Sequence, residues 1–195
     1  MPLTHPIRAS SGKYLDLSNF TAADVDVEDI NASLNYVYRF TGHHKTRPPL
    51  TVAQHLKLTT ILCDMVYPNE PDTKFDCLLH DFPEYVTGDV TTNTKKILGS
   101  VFKDYEHRVE AAVYEALWCR PNPFTEEIYL KRKVCDLLSL DIERRSMWAS
   151  QTGTDNWPAI PKVWLSLKEK QDLFEKIQAE RFVDLVGMYN ELGKA

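Results

Sequence analysis

No run in this 195-residue chain approaches the ~20 consecutive apolar residues of a membrane span, and residues 1–6 carry no basic-then-apolar leader pattern. The four cysteines (Cys63, Cys77, Cys119 and Cys135) form no Cys-x-x-Cys pair. That argues against a zinc ribbon or a disulfide frame and fits buried thiols in a reducing compartment, so a cytoplasmic location is expected. Excess positive charge is also missing. With 23 basic against 28 acidic residues and a net charge of −5, the chain does not read as a general nucleic-acid binder. An anionic small molecule would need a local cluster of positive charge. Neither internal repeats nor low-complexity tracts are present. What is there, 43% hydrophobic and 26% charged residues, is the composition of an ordinary globule, long enough for one domain over residues 1–195.

The chain is organised around Leu78, Leu79, His80, Asp81, Phe82, Pro83, Glu84, Tyr85, Val86, Thr87, Gly88 and Asp89. An imidazole and three carboxylates directly follow an apolar run, where charge is costly unless paired or bound to a cation. Adjacent His80 and Asp81 offer one nitrogen and one hard oxygen, a pair suited to a divalent metal. Glu84 follows about one helical turn later, within reach of a reacting water. These residues point to a mononuclear or dinuclear centre that hydrolyses a phosphate ester. The bland alternative is a helix start: Pro83 is tolerated in a first turn, and Glu84 could fold back on the cap.

The rest of the chain reads as nearly all helix, about six to seven helices in one compact bundle. Its core covers about residues 25–150, and a last helix spans about 166–189. A first helix over 27–37 buries Ile30, Leu34 and Val37. It leads to Arg39, Phe40 and a loop with His43, His44, Lys45 and Arg47 that could bind phosphate oxygens, Arg39 bidentately, or simply be solvated. Thr51 and Gln54 form a capping-box pattern that opens a helix ending near Tyr67. His55 lies on its core side, where a lone histidine is ordinarily a core residue, but His80 and Asp81 on the next helix, 72–82, supply partners. Lys95 and Lys96 follow a turn at 87–89 and could face an anion. Ser100 can cap a helix to about Leu117 with Val101, Tyr105, Val109, Ala112, Val113 and Ala116 inward. Pro121 and Pro123 stop it. Thr125 opens the longest helix, to about Ala149. Asp136 and Asp141 both lie there on partly apolar faces, and periodicity does not choose between them as a last ligand. Arg144 and Arg145 are expected to pair with Glu143 or neighbouring carboxylates. A loop covers 151–161, and Ser166 with Glu169 caps the final helix, with Phe174, Ile177, Val183 and Val186 inward.

The order His55, His80-Asp81, Asp136 on successive helices resembles the HD-domain metal-dependent phosphohydrolase superfamily. Residues 78–89 are similar to the corresponding segment of its deoxynucleotidase branch, and residues 52–55 to that branch's first-histidine motif. Arg39-Phe40 stands where the branch often has arginine and an aromatic. Residues 133–136 and 143–145 resemble the last-ligand helix of related phage and bacterial proteins, and that likeness selects Asp136. With residues 11–16 and 26–30, the chain looks most like phage dATP triphosphohydrolases of the DatZ type. Phe40 and residues 90–93 depart from some relatives at positions that could line the base pocket.

The resemblance implies an all-α HD-domain bundle with His55, His80, Asp81 and Asp136 as ligands of zinc, cobalt, manganese or magnesium. It implies Glu84 as acid–base group, Asp89 orienting a substrate hydroxyl or a neighbouring group, and Arg39, Phe40 and Lys95 contacting substrate. The implied reaction cleaves dATP to deoxyadenosine with triphosphate or successive phosphates, and removes dATP from the pool of a phage that replaces adenine with 2-aminoadenine. The alternatives are a 5′-deoxynucleotidase acting on monophosphates and a non-catalytic nucleotide- or metal-binding regulator. Related proteins are dimers or hexamers, so a homo-oligomer is expected, with 100–118 or 166–189 as contact surfaces.

Overall fold

The computed structural model describes residues 4–43, 45, 48–120, 123–147 and 165–194. Helices dominate it, and the only sheet among the described residues is a short hairpin, β1 (Pro6–Arg8) against β2 (Tyr14–Asp16), with Ile7 opposite Leu15. Ser11, in the hairpin turn, donates from its backbone N–H and its hydroxyl to Asp29, each at 2.7 Å, which ties the arm to α1 (Val27–Leu34). Asp26 caps α1 by accepting the amides of Glu28 and Asp29.

Three helices form the centre: α2 (Val52–Val66), α3 (Pro71–Leu79) and α7 (Glu126–Met147) pack against one another. The Thr51/Gln54 capping box opens α2 as the sequence predicts, and Pro71 at the first turn of α3 gives up only an amide that has no helical partner there. Leu56 of α2 joins a cluster with Ile30, Leu34, Phe75, Leu78, Val109 and Val113. Leu58 and Leu62 join a second one with Leu138, Ile142, Phe174 and Ile177. Apolar contacts therefore hold α2 on both sides, and full burial of each leucine contributes about 1.5–3 kcal/mol.

The short α4 (Glu84–Thr87) follows α3, then α5 (Thr92–Leu98), capped by Thr91, and α6 (Ser100–Leu117). The sequence expectation carried α3 on to Phe82; it ends at Leu79, and Pro83, which has no amide hydrogen, stands before the next helix. Gly99 rather than Ser100 is the N-cap of α6. Val101 and Ala116 are exposed instead of buried, because α6 meets the core only through a narrower stripe at Val109, Ala112, Val113 and Leu117. The predicted loop 151–161, Ala149 and Pro121 lie outside the described residues.

The single final helix expected over 166–189 is two: α8 (Leu167–Ala179), with the anticipated Ser166/Glu169 capping box, and α9 (Leu185–Lys194). Buried amide side chains hold the break. Asn35 accepts from the Val183 N–H at 2.8 Å and donates to its carbonyl at 3.0 Å, and Asn31 accepts from the Leu185 N–H at 3.0 Å. Gln54 donates to the carbonyls of Ile177, Gln178 and Glu180. Backbone groups that a continuous helix would use internally are satisfied by side chains of α1 and α2 instead. This break and the short α4 and α5 raise the number of helical segments among the described residues above the six to seven expected.

Candidate metal centre

His55 enters from the first turn of α2, whose start is tied down by hydrogen bonds from Arg39 N–H to Leu50 carbonyl and Val52 N–H to Val37 carbonyl, both 2.9 Å. The same pairing brings Arg39 to that end of the helix. His80 is the C-cap of α3 and Asp81 the next residue, while Asp136 lies midway along α7. These elements bring His55, His80 and Asp81 together, with Asp136 beside His55. His55 Nε2 stands 3.3 Å from His80 Nε2, 3.4 Å from Asp81 Oδ2 and 3.6 Å from Asp136 Oδ1, and His80 Nε2 is 3.4 Å from Asp81 Oδ2. Ligand atoms of His55, His80 and Asp81 all lie within 4.8 Å of one another, so this group could hold a metal ion.

The outer nitrogens decide what the inner ones can do. His80 Nδ1 donates to the Cys77 carbonyl at 3.0 Å, since a carbonyl can only accept. His55 Nδ1 faces the Glu143 carboxylate at 2.7 Å. Ser139 Oγ donates to the same carboxylate oxygen at 3.2 Å and lies 3.1 Å from the ring nitrogen. Both rings can therefore turn Nε2 lone pairs inward, where two acceptors and two carboxylates meet. Such a set is satisfied by a proton or a cation, and it matches the carboxylate–histidine–metal arrangement that orients ligand imidazoles. Such nitrogen and oxygen donors suit a divalent cation without choosing among zinc, cobalt, manganese and magnesium.

Electrostatics point the same way. Burial and the Arg39 charge oppose a proton on His55, but Glu143 and Asp81 outweigh them and raise its pKa. Burial lowers that of His80, with Arg132 and His55 adding to it. Desolvation works against the charged forms of Asp81 and Asp136, yet the two histidines hold both carboxyls below their usual range. Lys133 takes the other oxygen of Asp136 at 2.6 Å. Asp81, Asp89 and Glu143 face Arg39, Glu106 pairs Lys95 and Asp136 stands beside His55, so the excess of negative charge has to be met before an anion can approach.

Glu84 opens α4 and is buried; its Oε2 has no hydrogen-bond partner among the described residues, so it does not fold back on a cap. Burial, then Asp81 and Asp89, push its carboxyl well above the usual range. Arg39 is held by Glu143 at 3.3 Å, Asp89 at 3.6 Å and Asp81 at 3.7 Å, and its Nε lacks a partner among the described residues. Asp89 also accepts the Phe40 amide at 2.7 Å. It thereby fixes Arg39 and Phe40, which is the second of the two roles offered for it, orienting a substrate hydroxyl or a neighbouring group. Phe40 and Thr41 both take φ of 55°, a left-handed conformation that side-chain-bearing residues rarely adopt, which turns the chain sharply beside the site. Lys95 is ion-paired with Glu106; burial opposes its charge, and Glu106, with Glu84 and Asp81 beyond it, maintains it.

No family model matches the chain. An uncharacterized protein of Rhodobacter capsulatus is 35% identical over 108 residues, which cover 55% of this chain and 55% of that protein. The uncharacterized protein YfdR of Escherichia coli is 29% identical over 157 residues, 79% of this chain and 78% of that one. The match thus spans about half the length of the first relative. These names carry no activity, so the chemistry has to be argued from the residues.

Asp141 lies apart from the centre. It is buried under Arg144, Arg145 and Lys170 at 2.7–3.0 Å, a structural ion cluster joining α7 to α8. Glu143, offered from the sequence as a partner of those arginines, instead joins His55 to Arg39. Glu143 and Ser139 are the site residues the sequence reading missed. Their signal was present: positions 136, 139 and 143 recur on one face of a helix. His43 follows the turn at Phe40, while His44 and Arg47 lie outside the described residues.

Among the described residues no helix is long and apolar enough to cross a membrane.

Proposed function

We propose that the chain is a metal-dependent phosphohydrolase of the HD type acting on deoxynucleotides, with dATP as the leading substrate and deoxyadenosine plus triphosphate, or successive phosphates, as products. The observation that carries this reading is the meeting of His55, His80 and Asp81, with Asp136 against His55 and with Arg39 and Glu84 beside them each keeping a buried polar atom without a partner among the described residues. Buried unpaired donors and acceptors are costly and are found where a ligand completes them.

A divalent cation at this point would polarise a phosphoryl oxygen and acidify a water. The chain's own groups do the rest. Glu143 and the Cys77 carbonyl fix the two imidazoles in the ligand tautomer. Arg39 turns its free Nε toward phosphate oxygen and offsets charge gathered there. Water attacks phosphorus, the P–O bond to the deoxynucleoside breaks with its electron pair on oxygen, and Glu84, held protonated by its surroundings, delivers the proton that oxygen needs.

Pairing of Arg39 and Lys95 with carboxylates leaves little positive charge in the site, and a triphosphate needs more of it than a monophosphate, which favours a second reading as a 5′-deoxynucleotidase. A non-catalytic binder would have no use for a buried carboxyl at Glu84 with an oxygen unpartnered among the described residues. The test is a panel of dATP, dGTP, ATP, dAMP and dTMP with Mn2+, Co2+, Zn2+ or Mg2+, read by product identity. Turnover of dATP well above dGTP and ATP supports the first reading. Phosphate release from dAMP or dTMP with little triphosphate turnover supports the second. Binding without turnover of any nucleotide overturns both.

A further inference from the structure

Behind the His/Asp centre lies a second group of metal-ligating side chains that the proposed chemistry does not use. Cys63 of α2, Cys77 of α3 and Cys135 of α7 are each fully buried, and their sulfurs lie within 4.8 Å of one another. Cys63 lies two turns beyond His55 on α2, Cys77 precedes His80 by three residues, and Cys135 adjoins Asp136. The same three helices thus carry both groups, one cysteine each to the second. The cysteines form a small cluster of their own, with the partly buried Tyr67 packed against it. All three are free thiols.

Packing alone asks for small apolar side chains here, and thiols are weak hydrogen-bonding groups that behave as such. Packing does not ask for three sulfurs within mutual ligand distance on three different helices. Three sulfurs without imidazole or carboxylate discriminate by softness, favouring zinc-like or cuprous cations over magnesium or manganese. We propose that Cys63, Cys77 and Cys135 form a buried trithiolate site for one soft, closed-shell cation, separate from the His/Asp centre. Binding of a divalent ion releases three thiol protons and leaves one net negative charge. That charge faces Tyr67, whose ring lies 5.9 Å from the Lys131 ammonium. The site clamps α2, α3 and α7 together directly behind the ligands His80 and Asp136.

Cd2+ is the probe, since its thiolate complexes have a strong ultraviolet charge-transfer band and the nitrogen and oxygen ligands of the first centre give no such band. The chelator-treated full-length chain is titrated with Cd2+, with absorbance and thermal melting followed together. One equivalent is expected to produce the sulfur charge-transfer band and raise Tm, while Mg2+ does neither. Asp81→Ala keeps the band, which separates this site from the phosphohydrolase reading. Cys63→Ser and Cys135→Ser each lose most of it. A wild-type chain that gives no band with Cd2+ overturns the proposal without recourse to any variant, and so does a folded Cys63→Ser chain that keeps the full band.

Discussion

Glu84 is buried with one carboxylate oxygen unpartnered among the described residues, and burial with Asp81 and Asp89 favours its protonated form. A carboxyl with a raised folded pKa binds more protons folded than unfolded. Stability therefore falls as pH climbs from the unfolded value toward the folded one. Glu84→Gln removes that penalty while keeping the shape. In urea denaturation of the metal-free chain the variant is expected to be more stable than wild type, by a margin that widens from pH 5 to pH 8, and to have lost turnover. A margin that does not change with pH would show that Glu84 is not held protonated. Glu143→Gln leaves His55 without its carboxylate partner and Arg39 without one of three. Such loss typically costs about 10–100-fold in metal affinity or activity, and metal titration of the variant checks it. Single residues were readable in the sequence where their type is scarce or their motif compact: helical spacing put His55 on the core side facing His80 and Asp81, and the likeness to the HD superfamily joined Asp136 to them. Between Asp136 and Asp141 periodicity offered no choice, because both lie on partly apolar faces. What separates them is their surroundings: Asp141 is buried under lysine and arginine, while Asp136 is part-exposed, pairs Lys133 and turns its other oxygen to the His55 imidazole.

At the scale of elements, the break between α8 and α9 depends on a few buried amides. Asn35→Leu removes both hydrogen bonds to Val183 from a buried position. Each buried backbone group left unpaired costs about 1–3 kcal/mol, and the loss is expected to appear as a lower urea midpoint with the slope unchanged. A midpoint within error of wild type would mean that the break is held by other contacts. The sequence reading ran the two helices together because no proline or glycine punctuates residues 180–184, although the six-residue step from Ile177 to Val183 is not a helical period; polar side chains on distant α1 and α2 make the break. Capping-box helices such as α2 and α8 were legible at their starts, since the signal is local. On α7 the periodicity was weak for a physical reason: Arg132, Ser139, Asp141 and Glu143 are buried there by ion pairs and hydrogen bonds, so its inward faces are not uniformly apolar.

For the molecule as a whole, a cation at the His/Asp centre competes with a proton for His55. The folded pKa of His55 is raised, so in the metal-free chain its contribution to stability is complete below the unfolded value near 6.5 and fades as pH rises through the folded one. Metal binding requires the neutral ring. Stabilisation by Mn2+ is therefore expected to be small at pH 5.5 and to grow above pH 6.5. At a free concentration of 100 times Kd it reaches about 2.7 kcal/mol. Calorimetric melting with and without Mn2+ at several pH values checks this, and an equal shift at all pH values would contradict it. The centre lies where three helices converge between two apolar clusters, so removing one ligand leaves most of the core packing intact. The most direct test of the account is a Mn2+ titration of the chelator-treated chain and its Asp81→Ala variant, with dATP turnover assayed on the same samples. Wild type is expected to bind Mn2+ and hydrolyse the nucleotide, and the folded variant to lose both. Unchanged Mn2+ stoichiometry and turnover in Asp81→Ala would contradict the account.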